Sequence, residues 1–220
     1  AAFFVDPVGV EASVADVLAR ADRAASLPRL GGLARPNGVV IVSERFWGDN
    51  VAMLVLARPF MDASFNGELE SLTRRHLEKV REIESENPYG VPITRGGWAG
   101  NGAVMGFGIS HYWLHKAFPQ LIDTELVYRS LNYIFGTHPD SNYSFVSGVG
   151  AQSQTHAYGN NRADFSFIPG GVVPGVLVLP PDYPENKHDW PFFWGQNEYV
   201  IPMGSHYIFL THAAAELLKR

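Results

Sequence analysis

Cysteine is absent from the 220-residue chain. That excludes thiol nucleophiles, Cys-ligated zinc, iron–sulfur clusters and disulfide bridges, and it leaves the compartment open. Lysine is scarce: Lys79, Lys116, Lys187 and Lys219 are dispersed, so there is no polybasic stretch for anionic lipid. Positive charge is in deficit, with 17 Lys and Arg against 22 Asp and Glu. Phosphate binding needs a basic face, so nucleic acid is not the expected main partner. Long apolar runs are missing too; none reaches the roughly 18 residues of a membrane span. Charged residues make up only 18% and apolar residues 46%, which excludes a disordered chain.

Aromatics (13%), Gly (22 residues) and Pro (15 residues) are plentiful. They predict many loops and many flat apolar surfaces. The chain opens Ala1-Ala2-Phe3-Phe4-Val5-Asp6, which reads as a processed or truncated end. Val14, Val17, Leu18 and Ala21 have helical spacing, predicting a helix over 11–26 that stops before Leu27-Pro28. Gly31-Gly32 and Pro36-Asn37-Gly38 are turn chemistry, and Val39-Val40-Ile41-Val42 is a short strand or extended lead-in. Further helices are expected at 46–58, 66–85, 101–117, 121–135 and 204–219. In the third, Leu69, Leu72, Leu77 and Val80 point inward and the charged face outward. Residues 87–98 read as a Pro/Gly-rich loop, and Gly136 sits where a helix C-cap glycine belongs. The expected class is therefore all-α, with about six helices and little sheet.

Residues 136–203 lack periodicity and concentrate aromatics, from Tyr143 and Phe145 through Phe167 to Trp190, Phe192, Phe193, Trp194 and Tyr199. Segments this long without regular structure are usually functional. Glu198 is the sharpest residue there, following Trp190-Pro191-Phe192-Phe193-Trp194-Gly195-Gln196-Asn197. A carboxyl among aromatic side chains loses solvation, and such burial favours the protonated form that a general acid needs. The alternative is a solvated or paired surface Glu. Exposed Trp and Tyr faces fit the apolar face of a sugar ring, whereas buried ones are simply core. Trp190, Trp194 and Tyr158 are the candidates for a binding cleft.

His111 and His115 stand at i and i+4, a spacing that can bind zinc. Tyr112 occupies the place of the metalloprotease Glu and no third ligand is evident, so no metal site is expected. Ser205-His206 lacks a nucleophile-elbow pattern. Gly100-Asn101-Gly102 and Gly148-Val149-Gly150 are not dinucleotide fingerprints.

The order of motifs resembles glycoside hydrolase family 9, inverting endoglucanases with an (α/α)6 barrel. Four pieces carry the resemblance. Asn87-Pro88-Tyr89-Gly90-Val91-Pro92 with Trp98-Ala99-Gly100-Asn101-Gly102 looks like the loop and helix start before the penultimate barrel helices. Leu131-Asn132-Tyr133-Ile134-Phe135-Gly136-Thr137-His138-Pro139 is similar to Asp-Tyr-(Ile/Leu)-Leu-Gly-x-Asn-Pro. Ser144-Phe145-Val146-Ser147-Gly148-Val149-Gly150 is similar to Ser-Tyr-Val-x-Gly-(Phe/Tyr)-Gly. Ile168-Pro169-Gly170-Gly171-Val172-Val173, then Asn197-Glu198-Tyr199-Val200-Ile201, resembles Pro-Gly-x-Leu-Val and Asn-Glu-Val-Ala-Ile. Trp47-Gly48-Asp49-Asn50 resembles an earlier Trp-Gly helix start.

The resemblance implies that Glu198 is the general acid and that His156 and Arg162 contact sugar hydroxyls, although the family's paired His is not kept. It implies a β-linked glucan or related polysaccharide as substrate, an extracellular or periplasmic place, and no cofactor, with calcium left open. The water-activating Asp pair belongs to the N-terminal half of such a barrel. Asp16, Asp22, Asp49 and Asp62 lack that context. The 220 residues then read as the C-terminal part of one catalytic domain, completed by a preceding segment or fragment. Two other classes stay open: a groove that holds a glycan without cutting it, and a helical metalloprotein using His111 and His115.

Overall fold

The computed structural model describes residues 33–34, 40–41, 49–93, 100–138, 142–155, 157–158, 165–175 and 198–219. Helix dominates them. The helices are α1 (Asp49–Ala57), α2 (Ala63–Ser85), α3 (Asn101–Ala117), α4 (Glu125–Ile134) and α5 (Ile201–Leu217). Strands come as two-residue pairs. β1 (Leu33–Ala34) and β2 (Val40–Ile41) are antiparallel, β3 (Tyr143–Ser144) and β4 (Gln152–Ser153) parallel, and β5 (Ala157–Tyr158) and β6 (Phe165–Ser166) antiparallel. The short strand expected at Val39–Val42 is β2. The helix expected over 11–26 lies outside the described residues.

Helix ends follow local chemistry. A single 3-10 turn, Arg58–Phe60, follows α1, with Pro59 at its start. Asp62 caps α2: its Oδ1 accepts from the Phe65 N–H at 2.7 Å, so α2 begins ahead of its first apolar repeat. Phe65, Leu69, Leu72, Thr73, His76 and Val80 form its buried stripe. Glu70–Arg74 and Lys79–Glu82 pair on the exposed face; such pairs contribute little to stability. α3 holds its expected bounds and is buried almost all round, because α1, α4 and α5 all pack on it. A Cβ at Gly108 would lie 2.9 Å from Ser130 Cβ and 3.0 Å from Leu210 Cδ1, so glycine there lets α4 and α5 approach closely.

Three apolar clusters meet at α3, the smallest of them made by Val80, Phe107 and Leu126. One joins α1 and α2 to its C-terminal end through Val51, Phe65, Leu69, Leu72, Leu114, Phe118 and Ile122. The largest joins α3, α4 and α5 to Phe145, Val146, Val172 and Val173 of the aromatic-rich segment.

Between α2 and α3 two buried histidines meet. The His76 and His111 rings lie 5.3 Å apart, and Phe107 stacks on His76 at 5.7 Å. Burial holds His76 down at about 4 and His111 at about 3, with His76 and Arg129 adding to the effect on His111. An unfolded histidine titrates near 6.5. Below about pH 6.5 the unfolded chain therefore binds more protons than the folded one, and stability falls as pH falls towards the folded values. Glu84, raised by burial despite Arg129, acts in the opposite direction. Each of the two histidines should contribute a loss on the order of 2 kcal/mol between about pH 7 and pH 5. Thermal melts across that range should show the decline, and His111→Met should remove about half of it. A melting temperature independent of pH there would mean that the pair is solvated.

Candidate active site around Glu198

Glu198 and Tyr199 are half-buried and stand just before α5. The chain enters that helix through Val200 in extended conformation, with Pro202 in the first helical positions. The Tyr199 side chain goes into the 143–173 region, where its hydroxyl meets Ser147 and Ile168.

That region is stitched by backbone bonds rather than by long strands. Phe145 N–H donates to Ile134 C=O at 3.0 Å, and Val173 N–H donates to Phe145 C=O at 3.1 Å. Ser147 N–H donates to Gly171 C=O at 2.9 Å, and Gly170 N–H donates back to Ser147 C=O at 2.8 Å. Val146 and Val172 form an antiparallel bridge. The buried Gln154 accepts from the Tyr143 hydroxyl at 3.1 Å.

The motif-bearing pieces converge here. Asn101, at the start of α3, donates from Nδ2 to Val173 C=O at 2.6 Å, and its N–H reaches Pro174 C=O at 2.9 Å. Its side chain fills the space beside Gly175, where a Cβ would lie 2.4 Å from Oδ1. Tyr89 meets Tyr133 edge-on at 5.5 Å and His138 at 5.9 Å. Phe145 lies 5.6 Å from Tyr133 and 4.8 Å from His138. His138, held by the Tyr133 carbonyl through Nε2 at 2.8 Å, is pushed down to about 4 by burial.

The other candidates divide. His111 is buried against His76, while His115 Nδ1 sits 2.7 Å from Ile122 C=O on a different partner. Among the described residues no group of three or more His, Cys, Asp or Glu could hold a metal ion. The Ser205 hydroxyl donates to Pro202 C=O at 2.8 Å, a local helix contact. Asp62 is occupied as the α2 cap. His156, Arg162, Trp190 and Trp194 lie outside the described residues, and of Tyr158 only the backbone is described, in β5.

Among the loop aromatics, Tyr143 and Phe145 are core, whereas Phe167 is 50% exposed. Phe167 adjoins Ile168, whose N–H donates to the Tyr199 hydroxyl at 3.1 Å. The sequence singled out neither Phe167 nor Tyr199. The available signal for Tyr199 was the aromatic standing where the resembled motif has Val.

No family model and no curated protein matches the chain. The solved structure of AaCel9A in complex with cellobiose-like isofagomine is similar, with 18% identity and a TM-score of 0.57. The match covers 76% of this chain and 35% of that one. At this identity the likeness is one of fold: the chain is all-α and resembles a fragment of a family 9 glycoside hydrolase helical barrel.

Proposed function

We propose that the chain is part of a glycoside hydrolase that cleaves a β-linked glucan or related polysaccharide with inversion. The single observation that supports this is the fold likeness to part of AaCel9A; the acid role of Glu198, which stands just before the last helix, rests on the motif resemblance. Glu198 gives its proton to the glycosidic oxygen as the bond to the anomeric carbon breaks. A carboxylate about 6.5–9.5 Å away takes a proton from the water that attacks the opposite face. The 220 residues form the C-terminal part of one catalytic domain, and a preceding segment or fragment supplies that base and completes the barrel. Trp190, Trp194 and Tyr158 stack on sugar rings, and His156 and Arg162 bind hydroxyls. The site works outside the cytoplasm, on an oligo- or polysaccharide.

A second reading is a glycan-binding remnant of the same fold. It is favoured by the one feature that the first must place elsewhere: Asp62, the only one of the four early aspartates with a described side chain, is committed to a helix cap. Reducing-end release separates the two. The complete polypeptide carrying these residues should cleave at least one member of a β-glucan panel. Binding without release would favour the remnant.

A further inference from the structure

We propose that Tyr199 is a positioning residue that aims the Glu198 carboxyl, an inference that rests on the acid role given to Glu198 above. Three contacts fix the Tyr199 ring. Its hydroxyl pairs with the Ser147 hydroxyl at 2.7 Å and accepts from the Ile168 N–H at 3.1 Å. Its edge lies against Gly171, where a Cβ would come within 2.5 Å of Tyr199 Cε1. All three contacts belong to the stitched region, and that region is tied to the end of α4 through Phe145 and Ile134. Ser147 is fully buried. The hydroxyl therefore links the residues just before α5 to a frame that packs on the core.

The consequence for Glu198 is geometric. Adjacent residues share a planar peptide unit, so pinning the Tyr199 ring restricts the backbone that carries the Glu198 carboxyl. A general acid works only within hydrogen-bond reach of the leaving oxygen, and misplacement by an ångström is costly. Where the resembled motif has Val there is no hydroxyl to make this link, so the device belongs to this sequence. Glycine at 171 is its other half, because it leaves room for the ring.

Leaving-group dependence distinguishes aim from mere stability. From a dinitrophenyl glycoside the dinitrophenolate departs without protonation, whereas the sugar oxygen of an unactivated glucan requires the acid. In the complete polypeptide, Tyr199→Phe should lower kcat on the glucan about tenfold to a hundredfold. KM should stay within about twofold, and turnover of the dinitrophenyl substrate should be nearly unchanged. Gly171→Ala, which drives a methyl group into the ring, should give the same pattern. Ser147→Ala provides a variant that keeps the ring if Tyr199→Phe fails to fold. Equal losses on both substrates, or no loss on either, in whichever of these variants folds would overturn the proposal. Glu198→Gln run beside them tests the underlying reading. If that variant still hydrolyses the glucan normally, the acid assignment fails and the proposal with it. If it does not, while the Tyr199 and Ser147 variants behave as wild type, the positioning role alone fails. Wild-type inactivity on both substrates would overturn both.

Discussion

Glu198→Gln in the complete polypeptide should abolish nearly all hydrolysis of unactivated glycans while leaving glycan binding in place. The amide keeps the size and shape of the side chain and removes the transferable proton. General acid catalysis contributes about 10²–10⁴ in rate, so the loss should be at least of that order. Binding rests on other groups, the proposed aromatic platforms among them, and should change little. Calorimetric titration with an oligosaccharide and reducing-end release would read the two quantities separately. Near-normal turnover would mean that another group protonates the leaving oxygen. Loss of binding together with turnover would mean that Glu198 holds the sugar rather than acting on it.

Phe145→Ala should produce the largest loss of stability in the motif-bearing region. The ring is fully buried and lies against Tyr133 and His138. Its backbone joins the end of α4 to Val173. Truncating a buried Phe costs about 3–5 kcal/mol through lost transfer energy and the cavity left behind. For a chain of this size that corresponds to a fall in melting temperature of about 6–20 °C. Phe167→Ala makes a useful contrast, because that ring is half exposed and its removal should barely move the melt. A melting temperature unchanged by Phe145→Ala would mean that this segment is not part of the core.

The helices were legible because their signals are local. The periodicity of α2 and the Gly136 turn need only a few neighbouring residues to be read. Gly136 does have φ +99°, and a Cβ there would strike the backbone of Asn142–Ser144 at 2.8–2.9 Å. Helix starts were less legible. α2 begins earlier than its apolar stripe because Asp62 caps it. α4 begins later because Asp123 Oδ1 accepts from Glu125 N–H in a turn. α5 begins earlier because Pro202 suits the first helical turn. The surroundings of Glu198 were legible only as composition. Tyr199 meets Ser147 and Ile168 across 52 and 31 residues of sequence, and no periodicity or spacing encodes such pairings. The choice between core and platform for the loop aromatics also depends on tertiary packing, which buries Phe145 and leaves Phe167 open.

The most direct measurement is the anomeric configuration of the first product, followed by proton NMR as the complete polypeptide cleaves a β-linked oligoglucan. Single displacement with Glu198 as acid and a separated base turns the β-bond into an α-hemiacetal. The α-anomer should therefore accumulate first and then mutarotate, and Glu198→Gln should suppress its formation. Initial accumulation of the β-anomer, or no cleavage of any β-glucan tested, would contradict the account.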